Sequence, residues 1–417
     1  MNKQQLFALL DKYRAWVDYA DENGVSVDYG ALSEQIKEQS ELIGKQAKSN
    51  PCEPDALDEI FALAPTTEFE KKKVINYDSK IRGALLGRFA GCILGAPVEG
   101  WQIEGMSTYA QVIGDNFPPT DYWSDVINPE NVQYDRSKRY EFTREKMDGV
   151  PADDDVMYPL LNLMLMEKYG KDFTVNDVGE HWLENMTVCC TAEYEALENL
   201  KKGVSADKCA EDNPYIEWLG AEIRADAFGY AAPGDIYSAA KMAYNDAYLS
   251  HRRNGIYGEM YFAAVIASAF AANSIEEALL DGLKVIPEHC KLAEDIRWAL
   301  QKAPEITDYL GARKAVDERM PGMFWVHTRN NTCLIIFALM LAGDDYTKLI
   351  SQCVAMGLDN DCTTATAGSI FGAFYGIEKI PEYWYKNFKD NIKCFLKHNK
   401  DFSINDVIER FKKIAKQ

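Results

Sequence analysis

Long apolar runs are missing from this chain. The longest, 332–343 and 260–272, stop well short of the about 20 residues a membrane-spanning helix needs. The first two dozen residues, MNKQQLFALLDKYRAWVDYADENG, have no extended apolar stretch and turn acidic quickly, which argues against a signal peptide. Histidine is scarce, five in 417 residues, and none of the ten cysteines forms a Cys-x-x-Cys pair, so a zinc-finger type of ligand framework is excluded. There is no Gly-Lys-Ser/Thr phosphate loop, no dinucleotide fingerprint and no alternation of strand and helix patterns. Basic residues are in the minority, 45 against 65 acidic ones. The resulting charge of −20 repels phosphate backbones and makes nucleic acid an unsuitable partner. The remaining expectation is a cytoplasmic protein with reduced thiols and no membrane or nucleic-acid partner, most easily an enzyme of small molecules.

What is present is ample core material and one dominant period. Hydrophobic residues make up 47% of the chain, which excludes general disorder. Apolar positions at helical spacing predict helices over 80–94, 157–167, 175–186, 192–200, 236–250, 259–272, 275–284, 290–303, 330–341, 346–355 and 363–376, with a short turn at 307–313. The fold class is therefore all-α. Residues 1–75 read as a helical N-terminal extension, a packing cap or an oligomer contact. Residues 76–417 read as one large helical domain.

Two of these helices carry an unusual ridge. Gly83, Gly87, Gly91 and Gly95 recur every fourth residue, as do Gly368, Gly372 and Gly376. Each glycine inside a helix costs about 0.8–1 kcal/mol relative to alanine, so the ridge needs a compensating contact. Rows at i, i+4 share a face and permit close backbone approach, so the two helices are expected to pack on each other or on near neighbours. Residues 115–150 lose all period, and a long irregular stretch inside a domain is usually functional. Tyr122, Trp123, Tyr134 and Tyr140 either wall a cleft there or pin a surface loop.

Carboxylates gather at two helix starts. Asp153-Asp154-Asp155 opens one apolar helix, and Asp359-Asn360-Asp361 opens the second glycine helix. One aspartate suffices for an N-cap. Three adjacent like charges repel unless a divalent cation with hard oxygen preference relieves them. The two clusters together could supply ligands for a two-ion site. Glu99 follows the first glycine helix.

In that order, IRGALLGRFAGCILGAPVEG, the aspartate run and GLDNDCTTATAGSIFGAFYGIEKIP resemble the ADP-ribosylglycohydrolase family, over about residues 80–384. The resemblance implies an all-α domain with a binuclear Mg²⁺ centre (Mn²⁺ or Ca²⁺ in its place) and hydrolysis of the glycosidic bond joining ADP-ribose to a protein, nucleotide or small molecule. It also assigns metal ligands to Asp153, Asp154, Asp155, Asp359, Asp361 and Cys362, and a substrate-side role to Glu99. Asp154 or Asp155 would serve as base or electrostatic partner, with the choice between them open. Two thiols depart from the family pattern: Cys362 stands where a hydroxyl ligand is usual, and Cys92 where an aspartate is common. In the middle of the chain, Arg224 and Tyr257 are candidate substrate contacts, Gly255 and Gly258 candidate phosphate approaches, and His251 a core histidine. Tyr215 and Trp218 read as core, and Asn330 or Asn331 as a helix cap. Terpenoid-synthase chemistry is disfavoured, because Met157 and Gly368 occupy positions its motifs would fill with acids. A non-catalytic ADP-ribose-binding or immunity-type protein on the same fold is the remaining alternative.

Overall fold

The computed structural model describes residues 3–47, 50–126 and 139–417. The chain forms two compact units, residues 1–50 and 51–417. The smaller contains the helices Lys3–Glu22 and Gly30–Ala47, joined through a turn in which Gly24 takes a left-handed conformation (φ 67°). The larger begins well before residue 75. Ile60 is fully buried in its core, the Lys72 amide donates to the Gly234 carbonyl at 2.8 Å, and the Lys72 ammonium pairs with Glu277 and Asp281.

The large unit is built of helices around a fully buried central one, Asn254–Ala269. Around it pack Asp226–Ala231, Ile236–Ala247, Ile275–Gly282, Thr328–Ala342 and Asn360–Tyr375. Among the described residues the only paired strands are Ile392–Lys393 and Asp401–Phe402, antiparallel, with Ile392 opposite Phe402. The expectation of an all-α fold holds. Helices also form at Ile103–Ile113 and Ile404–Ala415, which the periodicity reading omitted.

The two glycine helices, Tyr77–Gly95 and Asn360–Tyr375, lie directly against each other. Their register is antiparallel. Gly83 faces Gly372 and Gly376, Gly87 faces Gly368, Gly91 faces Thr364, and Gly95 faces the Asp361 backbone. A Cβ on Gly83 would lie 2.7 Å from the Gly376 carbonyl carbon and 2.9 Å from the Gly372 oxygen, closer than side-chain carbons come to backbone. The Tyr346 hydroxyl donates to the Gly87 carbonyl at 2.7 Å and fixes the helix from a third side.

By length and mean hydropathy the stretch Tyr77–Val98 would suffice to cross a membrane, a reach the count of unbroken apolar runs missed because Lys80, Arg82 and Arg88 interrupt it. Here 94% of its most apolar 18-residue window is buried inside the protein.

Tyr122 and Trp123 resolve as anchors rather than cleft walls. Both are buried; the Trp123 indole donates to the Leu94 carbonyl at 2.9 Å, and Tyr122 packs edge-on to Trp384 and donates to its carbonyl. Tyr140 is exposed, and Tyr134 lies outside the described residues. Overpacking a close backbone contact has no flexible partner to yield, so Gly87→Leu should lower stability by about 1–3 kcal/mol or more. A urea midpoint indistinguishable from the parent would contradict this packing.

Candidate metal centre

Asp153 sits at the N-cap of the Asp154–Tyr169 helix, where its side chain accepts from the Asp155 amide at 3.1 Å. The cap and the helix dipole both favour an anion there. Capping therefore accounts for one of the three aspartates. Asp154 is partly buried in the first turn, and Asp155 is fully buried. One Asp155 oxygen, Oδ1, takes a 2.6 Å ion pair from Arg88; the other, Oδ2, is buried without a hydrogen-bond partner. Arg88 is itself 0% exposed and spends its remaining donors on Asp226 at 2.7 Å and on the carbonyls of Asp155 and Ile223.

The second cluster is reached through Gly357 and Leu358, both left-handed (φ 71° and 64°). Such a pair turns the chain sharply into the Asn360–Tyr375 helix. Asp359 stands at that helix's N-cap position, yet its side chain makes no capping bond. Its amide donates instead to Asn331 Oδ1 at 3.3 Å. Asp359 and Asp361 are both buried, and each keeps an Oδ1 without a hydrogen-bond partner. A simple cap would not leave these oxygens idle.

Glu99 follows the short 3₁₀ turn Ala96–Val98 that ends the first glycine helix. The Gly100 amide donates to the Leu358 carbonyl at 3.1 Å, tying the Glu99 loop to the Asp359 loop. Because Gly95 abuts Asp361, the close approach of the two helices also sets the distance between these acids. Arg139 bridges Glu99 at 2.7 Å and Asp153 at 2.6 Å, with its guanidinium over the Phe142 ring.

Three groups of donor atoms lie within 4.8 Å of one another: Glu99 with Asp359 and Asp361; Asp155 with Asp361 and Cys362; and Cys92 with Asp153 and Asp155. Asp154 adjoins these groups without belonging to one. Of the carried-over residues, Glu99, Asp153, Asp155, Asp359, Asp361 and Cys362 are thus brought together. The crowding is visible in the acidities. Repulsion from Asp361, then burial, pushes Glu99 up to about 8. Burial pushes Asp155 up to about 8 despite Arg88. Burial and then Asp361 push Asp359 well up, and burial and then Asp153 raise Asp361. The donor set of buried, unpartnered carboxylate oxygens fits divalent cations.

The middle segments behave differently. Arg224 is fully buried in a salt-bridge network with Glu193, Asp246 and Glu259, so it contacts no substrate. Tyr257 is buried with its hydroxyl on the Pro54 carbonyl; an added Cβ on Gly255 would strike the Ile216 carbonyl, and one on Gly258 the Thr328 hydroxyl. His251 is a buried core histidine hydrogen-bonded to Ser250. The helix Thr328–Ala342 is capped by His327, not by Asn330 or Asn331. Tyr215 and Trp218 are half-buried rather than core: Trp218 stacks on the exposed Phe324 at 4.7 Å, and Trp325 lies against Gly100 beside Glu99. Sequence reasoning missed Arg88 and Arg139 as site residues. For Arg88 the signal was a lone arginine amid small and apolar residues; for Arg139 there was none.

A family model for ADP-ribosylglycohydrolase matches residues 73–413. The chain belongs to the ADP-ribosylglycohydrolase family. Members of that family act on ADP-ribosylated substrates and generally depend on divalent metals, and membership supports a glycohydrolase-like function. A protein of Archaeoglobus fulgidus, described only as an uncharacterized protein, is 24% identical over 322 residues, 75% of this chain and 92% of its own. A solved structure described as an ADP-ribosylglycohydrolase-related protein complex shares the fold with a TM-score of 0.53 at 17% identity, covering 82% of this chain and 98% of the other.

Two outcomes follow for this acidic cluster in a member of the ADP-ribosylglycohydrolase family. Arg88→Met strands Asp155 and Asp226 in the interior and should cost about 3–5 kcal/mol in chemical denaturation; a cost below about 1 kcal/mol would deny Arg88 its compensating role. Glu99 and Asp155 keep protons up to about 8, above their ordinary 4.5 and 3.8, so the native state binds more protons than the unfolded chain. Stability in chelator should accordingly fall as pH rises from about 4 to 8. The gain in thermal midpoint on adding a divalent cation should be larger at pH 8 than at pH 6, and an equal gain at both would contradict this electrostatic picture.

Proposed function

We propose that the chain is a divalent-metal-dependent hydrolase of the glycosidic bond linking ADP-ribose to a protein, nucleotide or small-molecule acceptor. The observation that carries this reading is the convergence of Asp155, Asp359 and Asp361, each buried with an oxygen that nothing in the described protein satisfies. Asp153, Asp154, Asp155, Asp359, Asp361 and Cys362 are the residues that would hold the ions, Mg²⁺ being the first cation to try. When bound, such cations supply Lewis-acid activation of water and a grip on ribose hydroxyls.

The protein's own groups have separable tasks. Asp155 has one oxygen fixed by Arg88, which suits a holding role. Asp154 is less buried and unfixed by any arginine, so it is the better candidate to accept a proton from attacking water. Glu99 lies at the mouth, its side chain 31% exposed, where a carboxylate offsets the positive charge that builds on the ribose ring as the bond at C1 breaks. The flat face of Trp325, which lies against Gly100, suits a nucleobase.

A second reading, a non-catalytic ADP-ribose binder, is favoured by Arg139, which already engages Asp153 and Glu99 with a fixed positive charge. One experiment separates the two: a panel of ADP-ribosylated and ribosyl compounds incubated with Mg²⁺, Mn²⁺, Ca²⁺ or chelator and read by mass spectrometry. ADP-ribose, or a ribose derivative, should be released only with cation. Asp361→Asn and Asp154→Asn should lower the rate by on the order of 100-fold or more while leaving the fold intact. Full activity in excess chelator would defeat the metal reading, and tight ligand binding without turnover in any cation would favour the binder.

A further inference from the structure

The three donor groups form a series joined by shared carboxylates. Asp361 belongs to the Glu99 group and to the Cys362 group, and Asp155 belongs to the Cys362 group and to the Cys92 group. Oxygen donors alone fill the Glu99 end, whereas each of the other two positions carries one sulfur. Cys92 is 0% and Cys362 8% exposed, and neither is in a disulfide. Cys92 stands one turn beyond Arg88 on the Tyr77–Gly95 helix, and Cys362 lies in the first turn of the Asn360–Tyr375 helix, so both thiols are held by the glycine contact between those helices. The Asp155 oxygen that Arg88 leaves free is buried without a partner, and so is an oxygen of Asp361. Those two atoms point to a ligand independently of the cysteines.

We infer that this chain's centre is chemically asymmetric, with the positions built on Asp155 taking a thiophilic divalent cation of the Zn²⁺ class through Cys92 or Cys362. The inference rests on the metal-centre reading above and replaces Mg²⁺ at that end only. With metal–sulfur bonds of about 2.3 Å, metal–oxygen bonds of about 2.0–2.2 Å and tetrahedral geometry, two ligand atoms of one ion lie about 3.5 Å apart. The donor atoms here lie within 4.8 Å of one another, so side-chain rotation has to bring them in by no more than about 1.3 Å. Neutral thiols are poor donors to Mg²⁺, whereas thiolates favour zinc and softer ions over magnesium and calcium. As the sulfur–metal bond forms, the S–H bond breaks and its proton passes to solvent. No oxidant or reductant is required.

The test uses the full chain, stripped with chelator and titrated with Co²⁺ or Cd²⁺, whose sulfur-to-metal charge-transfer absorption reports thiolate ligation directly. The expected result is a saturable band that weakens in Cys92→Ser or Cys362→Ser, is lost in the double variant, and persists in the control Cys394→Ser. Competition should show Zn²⁺ preferred over Mg²⁺, with the preference falling by about 10-fold or more in the double variant. X-ray absorption of the Zn²⁺-loaded parent, which needs no variant to fold, should contain sulfur in the first coordination sphere. Binding of Mn²⁺ or Mg²⁺ together with a Co²⁺ complex that lacks the band, or an all-oxygen Zn²⁺ shell, overturns this inference and leaves the metal centre standing. Failure to bind any divalent cation overturns both.

Discussion

Everything in the site depends on how closely two helices can lie. With glycine at every facing position of Tyr77–Gly95, its backbone rests on the backbone of Asn360–Tyr375 from Gly83 to Gly95. Dense packing offsets the roughly 0.8–1 kcal/mol that each interior glycine costs its helix. The same register puts the end of one helix against the start of the other. Glu99 and Asp361 are consequently neighbours through helix packing, not through any attraction of their own. Acids that repel one another are held together by contacts several turns away.

Charge compensation is shared in the same way between core and site. Arg88 is enclosed in the helix interface and serves Asp155 on the site side and Asp226 on the core side. Its carbonyl contacts with Asp155 and Ile223 join the start of the Asp154–Tyr169 helix to the Glu222–Arg224 turn. A buried ion pair is rarely a large source of net stability, but losing one member is expensive. Arg88 therefore constrains position more than it contributes energy. Arg224 does the same within the core, where Glu193, Asp246 and Glu259 surround it.

Much of this was legible in the sequence because it depends on spacing. A glycine every fourth residue specifies one helix face, and the two ridges found each other as that pattern requires. The aspartate runs also announced themselves, although only the structure separates Asp153, which caps a helix, from Asp359, which occupies a cap position and does not cap. What could not be read was which lone charge lies inside. Arg224 and Arg88 look alike in sequence, each a single arginine near small residues, and nothing local tells that one faces the acids and the other the core. Arg139 arrives through a segment without period, where spacing carries no information. The Ile404–Ala415 helix is different: Ile404, Val407, Ile408, Phe411 and Ile414 are all buried at helical spacing, so its signal was present and simply lay beyond the last motif.

Sharing of Asp155 and Asp361 between adjacent donor groups has a thermodynamic corollary. A carboxylate oriented toward one ion is no longer free to adjust to the next, yet the charge it loses in effect also lowers the repulsion its neighbours feel. Successive cations bound as proposed would thus meet different sites from those the first one met. Occupation of such a centre would be a sequence of unequal events, and a single dissociation constant would not describe it.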